Sequence, residues 1–156
     1  MYSVAVKPRP ATLADLHRER YPAMVRLATL LIDSQEIAEE VVQDCFVRLH
    51  PRFDTLDDPV AYLRSAVVNA CRSTGRRRTL ERAHLRAERP MVAELGADEI
   101  LDALAGLPPR QRAALVLRFY EDLSGDQIAD VLGCRPGTVK SLISRGLARL
   151  REVVEQ

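Results

Sequence analysis

The segment "QIADVLGCRPGTVKSLISRGLARL", from Gln127 to Leu150, restricts the fold of this chain more than any other. Ser124-Gly125-Asp126-Gln127 has the S-x-x-Q form of a capping box, in which a hydroxyl and an amide satisfy free backbone N–H groups at a helix start. The helix it opens is short, because Gly133 follows Leu132 and takes the left-handed turn that stops a helix cheaply. Pro136 restarts helix within three residues, since its fixed φ suits a first helical position. Two helices joined this tightly cannot lie antiparallel and must cross steeply, which makes a helix-turn-helix. Ile128, Leu132 and Val139, with Leu142 or Ile143, face inward. Ala129 leaves room where the helices pass, and Cys134 plugs the turn. The outer face of the second helix keeps Thr138, Lys140, Ser141, Ser144, Arg145 and Arg149. Such side chains suit phosphate and base-edge hydrogen bonds in a major groove.

The rest of the chain also has helical periodicity. Apolar residues recur at three and four from Leu13 to Leu49, with a break at "IDSQE" where Asp33 or Ser34 can cap the next helix. Pro51 closes that helix, "RFDTLDD" is a loop, and Pro59 after Asp58 starts another helix that runs into Gly75 and an arginine triplet. Residues 80–97 contain a Pro, a Gly and many charges with little apolar order. They read as a linker, helical at most where it begins. Further helices are expected over Glu99–Leu104, Arg110–Tyr120, Gly125–Leu132 and Pro136–Val154. No strand pattern appears. The expected class is all-α, in two small helical domains over residues 11–79 and 98–156.

Composition matters through its distribution. The formal net charge is only +1 over 156 residues. Residues 33–58, however, hold eight acids and two arginines, residues 72–89 seven arginines and two glutamates, and residues 134–151 five bases and no acid. Local blocks set the field that a partner meets, and opposite blocks imply different partners. Cys45, Cys71 and Cys134 are scattered, as are His17, His50 and His84. This pattern points to buried thiols in a reducing cytoplasm and to neither a disulfide framework nor a metal site. No apolar run reaches the length of a membrane span, and "MYSVAVKPRPA" lacks the apolar stretch of a secretory leader. No P-loop, nucleophile elbow or paired metal ligands are present, so neither catalytic residues nor a cofactor are expected. A free-standing helix-turn-helix regulator is the alternative that these features leave open.

"LPPRQRAALVLRFYEDLSGDQIADVLGCRPGTVKSLISRGLARLR" resembles region 4 of bacterial sigma-70 family factors, and in particular the small extracytoplasmic-function (ECF) sigmas. "AEEVVQDCFVRLH", from Ala38 to His50, is similar to their region 2.2 helix, and "PVAYLRSAVVNACRSTGRRR", from Pro59 to Arg78, to regions 2.3 and 2.4. The resemblance implies a sigma factor that binds core RNA polymerase through the β′ clamp and β flap and reads two promoter elements. It implies a polymerase-docking face of Glu39, Glu40, Gln43, Asp44 and Phe46. Asn69, with the loop Arg52–Asp58, would hold a flipped base of the −10 element, and Arg72, Arg76, Arg77 and Arg78 would meet the DNA backbone. Arg135, Thr138, Lys140, Ser141, Ser144 and Arg145 would serve the −35 element, with Arg110 and Arg118 as further backbone contacts. A separate anti-sigma factor is the expected regulator. Four departures stand out. Tyr62 replaces the family's usual Trp, the loop before that helix is short, Arg135 occupies a frequent Ser cap, and Ser144 and Leu142 stand where bulkier or basic residues are common.

Overall fold

The computed structural model describes residues 8–84 and 97–155, and all regular structure among them is helical. Seven α-helices run in the order α1 (Leu13–Ile32), α2 (Gln35–Leu49), α3 (Pro59–His84), α4 (Ala97–Ala105), α5 (Pro109–Phe119), α6 (Gly125–Leu132) and α7 (Pro136–Val154). A 3-10 turn, His50–Thr55, follows α2 directly.

The helix ends follow side-chain chemistry. The Thr12 hydroxyl accepts from the Asp15 N–H and starts α1. Asp33 ends it in the left-handed region, at φ 67°. Ser34 then caps α2 by accepting from the Ile37 N–H, so the two residues of the break have separate tasks. The Asp58 carboxylate accepts from the Ala61 N–H at 3.0 Å and caps α3 just ahead of Pro59. This helix passes Gly75 and the arginine triplet and continues to His84, so the start of the expected linker is helical. The remainder of that linker, residues 85–96, lies outside the described residues.

In the first half, α1 packs on α2 and α3. Its core comprises Leu16, Met24, Leu27, Ala38, Val42, Cys45, Leu49, Leu63, Val67 and Cys71. In the second half α5 is central, touching α6 and α7, and every residue from Gln111 to Leu117 is buried. This helix is covered on two sides because the halves also meet each other, α1 and α3 lying against α5 and α3 against α6. Polar contacts cross that junction. The buried Arg112 donates Nε–H to the Leu30 carbonyl at 2.6 Å, at the C-terminal end of α1. Arg64 and Glu121 form an ion pair at 3.0 Å, with side chains 19 % and 12 % exposed. Arg26 donates to the Tyr120 hydroxyl at 3.2 Å. Burial pushes the Arg112 guanidinium below its ordinary pKa, while the Asp33 carboxylate favours its charge. The carbonyl ends of α1 act the same way, because a helix C-terminus attracts cations.

Candidate nucleic-acid and polymerase interface

Three surfaces carry the candidate residues. The first is the outer face of α2, where Glu39, Glu40, Gln43 and Asp44 are all exposed. Phe46 does not share this face. It is 5 % exposed, and its ring lies 4.7 Å from that of His17 and 6.3 Å from that of Tyr21. The cause is helical spacing. Val42, Cys45, Phe46 and Leu49 form one apolar stripe, and the stripe turns inward. The next residue, Val47, is 70 % exposed and falls one turn beyond Gln43 and Asp44. Sequence reasoning missed Val47, although its step out of the core stripe was visible.

The second surface is built on α3. Asn69 is exposed, Arg72 half-buried and Arg77 exposed. The helix also carries Arg76 and Arg78. Asn69 and Arg72 are three apart and so share one side of the helix. The loop ahead of α3 offers exposed Arg52, Asp54, Asp57 and Asp58, while Phe53 is buried beneath them. Arg9, from the segment before α1, places its guanidinium 5.1 Å from the centre of the Phe53 ring and donates Nη2–H to the Phe53 carbonyl. Tyr62 is half-buried and packs against the core.

The third surface is the second helix of the helix-turn-helix. Ser124 and Gln127 complete both bonds of the capping box, at 2.9 and 3.2 Å. Gly133 ends α6 at φ 64°. Arg135 stands at the N-cap of α7 without a side-chain capping bond, and its carbonyl accepts from the Thr138 and Val139 N–H groups. Val139 is buried, and Leu142, Ile143 and Leu147 pack partly against the core. Arg135, Lys140, Ser141, Ser144 and Arg145 are exposed together, with Thr138 half-buried beside them. The Ser141 hydroxyl donates back to the Gly137 carbonyl at 3.2 Å. Gly146 turns inward, where a Cβ would lie 2.8 Å from Cδ1 of Leu115, so α7 seats on α5 through a glycine. Arg110 is exposed; Arg118 is also exposed but donates Nη1–H to the Leu123 carbonyl and so holds the α5–α6 loop.

The remaining polar chemistry is inward and quiet. Burial pushes the Cys45 thiol up to about 11 and the Cys71 thiol up to about 12. Both are therefore neutral at physiological pH and are poor nucleophiles. Among the described residues, no group of three or more His, Cys, Asp or Glu side chains is placed to hold a metal ion. No helix among them is long and apolar enough to cross a membrane.

Comparison with known families matches residues 16–81 to sigma-70 region 2 and residues 97–150 to sigma-70 region 4. The chain belongs to the sigma-70 family. Its relatives place it in the ECF branch. It is 37 % identical over 144 residues to the RNA polymerase sigma-E factor of Streptomyces coelicolor, covering 86 % of this chain and 81 % of that one. It is 34 % identical over 154 residues to the ECF sigma factor SigM of Mycobacterium tuberculosis, covering 90 % of this chain and 76 % of the relative. Among solved structures it is similar to the sigma factor RpoE of Bartonella quintana, crystallised with the anti-sigma factor NepR. The TM-score is 0.73 at 27 % identity, over 90 % of this chain and 97 % of that one. This sigma factor directs promoter-specific transcription initiation as a partner of core RNA polymerase and promoter DNA.

Proposed function

We propose that the chain works as two reading modules, residues 11–79 for the −10 element and residues 98–156 for the −35 element, with residues 80–97 as the connection. Glu39, Glu40, Gln43 and Asp44 dock on the β′ clamp of the polymerase, and the second module lies at the β flap. Asn69 and the loop Arg52–Asp58 hold a flipped −10 base. The polymerase shares the unstacking cost, on the order of a few kcal/mol. Arg72, Arg76, Arg77 and Arg78 supply phosphate contacts, which give affinity without sequence choice. Lys140, Ser141, Ser144 and Arg145 read the −35 element, flanked by Arg135 and Thr138. The protein contributes binding and orientation, with no covalent chemistry of its own, and it acts in the cytoplasm. An anti-sigma factor is its regulator, by analogy with the RpoE–NepR complex.

The observation that carries this assignment is the joint exposure of Lys140, Ser141, Ser144 and Arg145 on the sides of α7 turned away from its buried Val139, with Arg135 exposed at the N-cap. Run-off transcription with core polymerase over a promoter panel tests it. Arg145→Ala is expected to cost roughly 1–3 kcal/mol at one −35 position if that residue reads a base. An equal loss across all −35 sequences makes Arg145 a phosphate contact. No promoter-dependent product with the unaltered protein removes the assignment altogether.

A further inference from the structure

We propose that Arg9 is a positioning residue for −10 recognition: from the segment before α1 it clamps the 3-10 turn whose loop forms one wall of the base pocket. The inference rests on the assignment of Arg52–Asp58 and Asn69 to that pocket.

The loop needs such a clamp. A 3-10 turn has poorer hydrogen-bond geometry than an α-helix and rarely persists on its own. The turn His50–Thr55 has no side-chain capping bond at its start, and its exit residue Leu56 is extended. The bond from the Thr55 hydroxyl to the Arg52 carbonyl and the Asp58 cap of α3 are both local, spanning three residues. Local bonds of this kind leave the position of the turn on the domain undetermined. Two features set that position. Phe53 is the buried peg, 6 % exposed, that fixes the turn from below. Arg9 closes on the same residue across 44 positions of sequence, with one N–H on the Phe53 carbonyl and the guanidinium over the ring. A planar guanidinium suits both contacts at once, because it combines a fork of donors with a face that stacks on an aromatic ring. Pro8 and Pro10 flank Arg9. Each fixes its own φ, so the approach of the arm is partly preset.

Arg9 thus sits behind the loop, on Phe53, while Arg52, Asp54, Asp57 and Asp58 remain exposed. Carboxylates in such a wall accept hydrogen bonds from the amino groups of cytosine or adenine. Their usefulness depends on where the backbone holds them, and displacements near 1 Å are enough to lose a polar contact.

The test uses the full chain with core polymerase and a promoter set carrying each base at each −10 position. The variants are Arg9→Ala, Arg9→Lys and Asn69→Ala, with amide hydrogen exchange of residues 53–58 measured in the free protein. Loss of one cation–π contact and one hydrogen bond sets the expected scale at about five- to tenfold. Arg9→Ala is expected to speed exchange in the loop by that factor and to shrink the preference among −10 bases by a similar one. Affinity for core polymerase and for −35 duplex is expected to stay within about twofold, because neither surface touches Arg9. Arg9→Lys keeps a cation and a donor and is expected to restore more than half of the preference. If Asn69→Ala loses −10 preference and Arg9→Ala keeps it, Arg9 is not a positioning residue and the pocket stands. Loss of preference in neither variant overturns the pocket and the role of Arg9 together. Faster exchange in Arg9→Ala with unchanged preference leaves Arg9 a structural clamp and overturns its part in recognition.

Discussion

Cys45 and Cys71 show how single residues tie this fold to pH. Their thiols are raised to about 11 and about 12 by desolvation, with Arg48 opposing at Cys45 and Arg112 at Cys71. An unfolded thiol titrates near about 8.5. A folded pKa above the unfolded one means that the native state holds its proton longer. The associated stability is therefore complete below about pH 8.5 and is lost as pH rises toward the folded values. Urea midpoints are expected to be level from about pH 7 to 8.5 and to fall by about pH 10. Cys45→Ala/Cys71→Ala starts lower, because of the two small cavities, and is expected to lack that alkaline fall. A level wild-type midpoint up to about pH 10 argues that the thiols ionise without cost. The burial of Cys45 and Cys71 was legible from the scattered, unpaired placing of the cysteines. The half-burial of Cys134 was legible less well, because a turn residue lacks a periodic neighbour to fix its facing. Gly146 was not legible at all: only the approach of Leu115 shows why a glycine stands there.

At the scale of the element, α2 shows which facings its spacing decides. Its acidic face was predicted, and Glu39, Glu40, Gln43 and Asp44 are exposed as one surface. Phe46 was placed on that face by resemblance, against its own spacing from Val42 and Leu49, and the spacing prevailed. Val47 takes the outward position, a large apolar side chain 70 % exposed beside polar neighbours. Apolar area flanked by charge is what a protein interface buries at its centre. Val47→Ala is therefore expected to change folding stability by less than about 0.5 kcal/mol, as exposed substitutions do. It is expected to weaken core polymerase binding by about 1 kcal/mol, roughly fivefold. A direct binding titration beside a urea melt separates the two effects. Unchanged affinity removes Val47 from the docking face, and Asp44→Ala in the same titration shows whether the face itself is correctly placed. Helices α5, α6 and α7 were predicted almost to the residue because caps, glycines and prolines bound them. Of the charged residues on α5, however, Arg110 and Arg118 were singled out and Arg112 was not. A helix buried on two sides loses the periodic contrast that tells an inward arginine from an outward one.

At the scale of the whole molecule, the junction between the halves was beyond the sequence, since nothing local to α1 or α5 specifies that they meet. The polar contacts there are incomplete, since the Nη2 of the buried Arg112 has no hydrogen-bond partner among the described residues. Arg112 is buried with its Nε bond to Leu30, and the Arg64–Glu121 pair is mostly shielded from water. An open groove of about 410 Å³ lined by Val25, Leu30, Ile100 and Leu101 lies at the edge of the same junction, so the seam is only partly closed. Any state in which α3 parts from the α5–α6 loop must break the Arg64–Glu121 pair. Its shielding from water strengthens the attraction and also raises the cost of desolvation, so the larger penalty falls on leaving one buried charge unpaired. Glu121→Arg replaces attraction by repulsion between two guanidinium groups and is expected to raise the radius of gyration seen by small-angle scattering. Arg64→Glu is expected to do the same by opposing two carboxylates. The exchange Arg64→Glu/Glu121→Arg restores opposite charges at the same separation and is expected to return the scattering curve to that of the unaltered chain. A restored curve isolates the pair from the general cost of mutation, since each single change also disturbs its own half. If both single variants scatter like the parent, the pair does not hold the halves together. The junction then depends on the buried Arg112 and the apolar contacts of α1 with α5.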